Sequence, residues 1–82
     1  MPITPGQCRG ARALLGWRQS DLSAKSGVSL RTVANFETGE RQPIPSVMTA
    51  LERALEESGI VFLPVDRSGG PGVRLAKQRT RR

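Results

Sequence analysis

Three glycine-marked stops decide most of what this chain can become. Gly16, Gly27 and Thr38-Gly39 each follow a short apolar-periodic run, so the residues up to Gly59 divide into four short helices. Thr4-Pro5 opens the first. Threonine is a good N-cap, and proline at the first helical position lacks an N–H that has no partner there anyway. Cys8, Ala11 and Leu15 recur at helical spacing, with Leu14 beside them, and predict one buried stripe. Trp17, just past Gly16, is expected to plug the core. Leu22 anchors a second helix over Gln19–Ser26. Ser29 caps a third that runs to about Glu37, with Val33 and Phe36 sharing a face. After a polar, proline-flanked loop, a fourth helix runs from about Ser46 to Ser58. Its stripe is Val47, Leu51, Ala54 and Leu55, while Thr49, Glu52, Arg53 and Glu56 cover the other side.

Beyond Gly59 the pattern changes. Ile60-Val61-Phe62-Leu63 is β-prone and apolar on both faces, and Pro64 makes it an edge strand or a strand end. The glycine-rich stretch from Asp66 to Gly72 reads as a turn. Val73-Arg74-Leu75 alternates again, so the two runs can pair as a hairpin. The expected class is mainly α: a compact four-helix domain over residues 1–58, a strand or hairpin over 59–76, and a basic flexible tail at 77–82.

Composition then excludes function classes. A chain of 82 residues makes one small domain with a marginal core, which invites a second subunit. No apolar run approaches the ~20 residues of a membrane span, and Met1–Gly10 lacks the apolar stretch of a signal peptide. A cytoplasmic chain without membrane contact is expected. With no histidine and one cysteine, His-based catalysis, a zinc cluster and an internal disulfide all fall away. No cofactor and no enzymatic activity are expected. Cys8 reads as a small buried side chain. The net charge is +6, yet Arg74, Lys77, Arg79, Arg81 and Arg82 supply much of it. Residues 1–73 carry eight basic against seven acidic side chains. Charge alone describes a near-neutral domain with a basic tail, either solvated or a supplementary DNA arm.

The informative segment runs from Gln19 to Arg41. Two short helices joined by the tight Gly27-Val28-Ser29 turn form a helix-turn-helix, and the second is the candidate reader. Such a helix is about 13 Å long, against a DNA major groove ~12 Å wide. Opposite Val33 and Phe36 lie Arg31, Thr32 and Asn35. Arginine can bond guanine O6 and N7 together, asparagine can do the same to adenine, and threonine offers a hydroxyl or a methyl. An ordinary solvated face would carry the same residues, so chemistry alone leaves both readings open.

The run Arg12-(x)6-Gln19-Ser20-Asp21-Leu22-(x)4-Gly27-Val28-Ser29-(x)3-Val33-(x)2-Phe36-Glu37-Thr38-Gly39 resembles the phage-repressor/Cro, or XRE, family over roughly residues 5–58. The resemblance implies a lambda-repressor-like helix-turn-helix fold. It implies base reading by Leu30, Arg31, Thr32 and Asn35, although Leu30 departs from the polar residue usual there. It places phosphate contacts at Arg18, Gln19, Ser29, Thr38, Gly39, Arg41 and Gln42, partly through loop backbone N–H groups. It pairs Arg12 with Glu37 as a structural lock. Glu40 would repel phosphate unless it turns away or pairs with Arg41.

The function this implies is a bacterial transcriptional regulator of repressor type. It would bind inverted-repeat, double-stranded DNA operators as a homodimer. The contact is expected from the residues themselves at Gly59–Leu75, outside the resembling span, where Ile60, Val61, Phe62 and Leu63 put apolar groups on both faces of a marginal hairpin. The competing reading is an antitoxin or antiactivator that uses the same scaffold, or the hairpin, to grip a regulatory protein partner.

Overall fold

Each helix starts and stops on a local chemical signal. The computed structural model describes residues 2–77, so most of the basic tail, with its expected flexibility and DNA role, lies outside the described residues. Helix α1 (Pro5–Leu15) opens on Thr4, whose hydroxyl accepts the Gln7 N–H at 3.1 Å while Gln7 Oε1 accepts the Thr4 N–H at 2.8 Å. That reciprocal pair satisfies two donors the helix itself cannot. Next come α2 (Gln19–Ser26), α3 (Leu30–Glu37), α4 (Pro45–Glu57), β1 (Ile60–Leu63) and β2 (Gly72–Leu75). Gly16 and Gly27 end α1 and α2 in the left-handed conformation, at φ of 71° and 77°. The chain is mainly helical, with one short antiparallel hairpin, as its sequence predicts.

One core joins all of these elements. Cys8, Ala11, Leu22, Val33, Phe36, Met48, Leu51, Ala54, Leu55 and Ile60 are buried in it, and Trp17, Leu15 and Phe62 pack against it. Two expected core positions differ. Leu14 is 44% exposed, because it lies about 100° round the helix from Leu15 and so misses the stripe. In α4 Met48 is buried, whereas Val47 only packs against the edge: the stripe is set by Met48, Leu51 and Leu55 at i, i+3, i+7.

The hairpin corrects a larger expectation. Its register pairs Ile60 with Leu75, Val61 with Arg74, Phe62 with Val73 and Leu63 with Gly72. Residues directly opposite share a face, so Ile60, Phe62, Val73 and Leu75 turn one way and Val61, Leu63 and Arg74 the other. Ile60 is 3% exposed, and Phe62 and Val73 pack on the helical core. Of the four residues expected at a dimer contact, Ile60 is therefore buried within the subunit, whereas Val61, Phe62 and Leu63 stay half-buried. Gly10 makes the close approach possible, since a Cβ there would stand 3.0 Å from a Val73 methyl.

Gln7 holds the loop end of the hairpin to α1. Its Nε2 donates to the carbonyls of Leu63 (3.1 Å) and Gly72 (2.8 Å), while the rest of its amide serves the α1 cap. Gln7→Ala is expected to cost about 1–3 kcal/mol, because it removes the donor to two part-buried carbonyls and opens the capping box. A thermal melt would register this as a lowered midpoint, and an unchanged midpoint would show that the clamp contributes nothing.

Candidate nucleic-acid interface

The back of the interface is a single buried carboxylate. Glu37, the last residue of α3, is 2% exposed. Arg12 donates from Nε to Oε2 and from Nη2 to Oε1, both at 2.7 Å, and from Nη1 to the Trp17 carbonyl at 3.0 Å. Gln19 Nε2 adds a bond to Oε1 at 3.1 Å, and Cys8 Sγ one to Oε2 at 3.1 Å. Arg9 Nη1 donates to the Glu37 backbone carbonyl. These bonds tie the C-terminal end of α3 to α1 and to the start of α2. Burial pushes the Glu37 carboxyl up, but the bonds from Arg12, Cys8 and Gln19, with the Arg12 charge, hold it below its ordinary value. Burial also pushes the Cys8 thiol up, helped by Glu37, so the sulfur stays protonated and donates. Among the described residues no buried side-chain polar atom lacks a partner.

The front is the outward side of α3. Leu30 and Arg31 are exposed there, and Thr32 and Asn35 are half-buried. Ser29 caps the helix: its Oγ accepts the Thr32 N–H at 3.2 Å and donates to Thr32 Oγ1 at 2.9 Å. The two hydroxyls share one hydrogen bond, which leaves one hydroxyl hydrogen of the pair for an outside acceptor.

The loop after α3 departs further from expectation. The N–H groups of Thr38, Gly39, Glu40 and Arg41 bond back to the carbonyls of Ala34, Phe36 and Asn35, at 2.9–3.4 Å. Thr38 Oγ1 also donates to the Asn35 carbonyl at 3.0 Å. Thr38 and Gly39 therefore have no free backbone donor to offer a phosphate, because those donors satisfy the last carbonyls of α3. Gly39, at φ 81°, makes this tight reversal possible. The reversal brings Arg41 back beside the helix, where it walls a small cleft with Thr32, Asn35 and Pro43. Arg41 and Gln42 stay exposed.

At the start of α2, Arg18 is exposed and its N–H bonds Asp21 Oδ2 at 2.7 Å. Its guanidinium stands 3.8 Å from the same carboxylate, a loose surface pair of little energetic weight. The Asp21 carboxylate thus caps the start of α2, and the Asp21 N–H bonds back to the Arg18 carbonyl at 3.0 Å. Among the described residues, the ion pairs are Arg12–Glu37 and Arg18–Asp21, so Arg31 and Arg41 keep their charge free.

Sequence reasoning missed three participants. Gln7 carried a visible signal, since Thr4-x-x-Gln7 has capping-box spacing. Arg9 and the donor role of Cys8 carried none, because both act across a tertiary contact. Among the described residues no cluster could hold a metal ion, and no helix is long and apolar enough to cross a membrane.

Residues 9–62 match a family described as helix-turn-helix. The matched span runs from within α1 into β1 and takes in every residue of the outward side just described. No curated protein matches the chain.

Proposed function

The chain belongs to the Cro/CI-like XRE family of helix-turn-helix regulators, a DNA-binding family, and on that premise we propose that it reads double-stranded operator DNA through α3. One observation carries the reading. The unneutralised guanidinium of Arg31 and the half-buried amide of Asn35 share one side of a helix whose opposite side is locked to the core. Rigid placement is what bidentate base contacts need. Arg31, Thr32 and Asn35 face the base edges, and Leu30 lies where it can touch a thymine methyl. Arg18, Gln19, Arg41 and Gln42 flank them toward the backbone, where contacts orient without reading sequence.

A dimer follows from the hairpin. Val61 and Leu63 present apolar groups on the side away from the helices, and a second copy covers them. The operator is then an inverted repeat with half-sites about one helical turn, ~34 Å, apart. Sedimentation of the full chain and of Leu63→Glu reads this: a dimer that becomes monomeric is the expected result, and a dimer indifferent to the change places the contact elsewhere.

If each half-site neutralises two or three phosphates, log K should fall with log salt at a slope of about −4 to −5. Titration of a labelled duplex at several salt concentrations measures it. A slope near zero would remove the DNA reading.

A further inference from the structure

Glu37 links two parts of the interface that meet DNA in different ways. It ends the reading helix, and its Oε1 holds the amide of Gln19, the first residue of α2, at 3.1 Å. A glutamine amide has two N–H donors, and this bond uses one. Among the described residues the second has no partner, and Gln19 is half-buried, so that hydrogen is open to an outside acceptor. Glutamine is among the side chains most costly to order, and a bond already made in the free protein removes that cost from binding. A buried carboxylate near a phosphate would otherwise repel it. Here Arg12 sits on both carboxylate oxygens at 2.7 Å and cancels the charge.

We propose that Glu37 is a positioning residue for Gln19. It fixes the amide so that its free hydrogen meets the DNA backbone, and Arg12 makes that arrangement electrically tolerable. The proposal rests on the DNA reading above, and it assigns the Arg12–Glu37 pair a task besides holding helices together.

Two double variants separate positioning from architecture. R12M/E37M removes the ion pair and the acceptor for Gln19, whereas R12M/E37Q removes the same ion pair but keeps a side-chain carbonyl as acceptor. With both shown to be folded by circular dichroism, R12M/E37M should lose about two- to tenfold in affinity, on operator and random duplex alike. R12M/E37Q should stay close to the unaltered protein. Gln19→Ala should cost the same factor in the unaltered protein and nothing further in R12M/E37M. Equal affinities for the two double variants would overturn the proposal and leave Glu37 as architecture. If either fails to fold, side-chain amide NMR of the intact protein decides. An ordered Gln19 amide, with one Nε2 proton shifting on addition of DNA, is expected, and a freely rotating amide overturns the proposal. Absence of any DNA binding by the unaltered protein is a different failure, that of the DNA reading itself.

Discussion

Arg12→Ala should lower the thermal midpoint by more than about 10 °C. The Glu37 side chain is 1% exposed, and without Arg12 it keeps only the neutral donors Gln19 and Cys8. Removing one partner of a buried pair costs about 3–5 kcal/mol, because the other charge is left uncompensated. Arg12 is itself 17% exposed, so water can partly replace it and the lower end applies. Against a total stability of about 5–15 kcal/mol that is a large fraction, and each kcal/mol moves the midpoint of a domain this size by roughly 4–8 °C. Acid provides an internal control. The Glu37 carboxyl is held below its ordinary value of 4.5, so its contribution is present above that pH and is lost as pH falls through the depressed value. The melting curves of the two proteins should therefore converge as pH falls through that depressed value. A midpoint unaffected by Arg12→Ala at neutral pH would contradict the lock.

On operator DNA, Arg31→Ala and Asn35→Ala should each cost about 1–3 kcal/mol per half-site, hence about 2–6 for a dimer. The two residues lie four apart on one side of α3 and reach neighbouring base pairs. Random duplex offers them no matched bases, so its affinity should change far less. Arg41→Ala should instead weaken both duplexes alike and make the salt slope shallower by about one unit. The Glu37 bonds lie on the other side of the helix, so truncation at Arg31 or Asn35 leaves the lock intact, and helix content checks that. Equal losses on operator and random duplex would mean that α3 holds DNA without reading it.

The helices were legible because their signals are local. Thr4, Pro5, Ser29, Gly16 and Gly27 act on backbone groups within a few residues, and sequence order preserves that neighbourhood. What was not legible has two sources: contacts between chain segments far apart, and short-range competition for hydrogen-bond donors. Ile60 and Phe62 looked free to meet a second subunit until the hairpin register turned them onto the subunit's own helices. Ser29, Thr38 and Gly39 are expected at a phosphate, and the structure adds what the sequence does not show: the Ser29 hydroxyl bonds Thr32, and the Thr38 and Gly39 N–H groups serve the last carbonyls of α3. The turn at Gly39 brings Arg41 beside Thr32 and Asn35, a placement that residue spacing alone does not predict. The outward residues Arg31, Thr32 and Asn35 were legible for the converse reason. Helical periodicity fixes which side a residue takes once Val33 and Phe36 are assigned to the core.

The central claim is that α3 reads bases, and selection from a pool of randomised duplexes tests it most directly. The unaltered protein, carried through successive rounds at moderate salt, should enrich one sequence, arranged as an inverted repeat with half-sites about 10 base pairs apart. The Asn35→Ala protein, selected in parallel, should lose the preference at the base pair Asn35 contacts and keep it elsewhere. A pool that stays random with the unaltered protein, or an identical motif from both proteins, would contradict the claim.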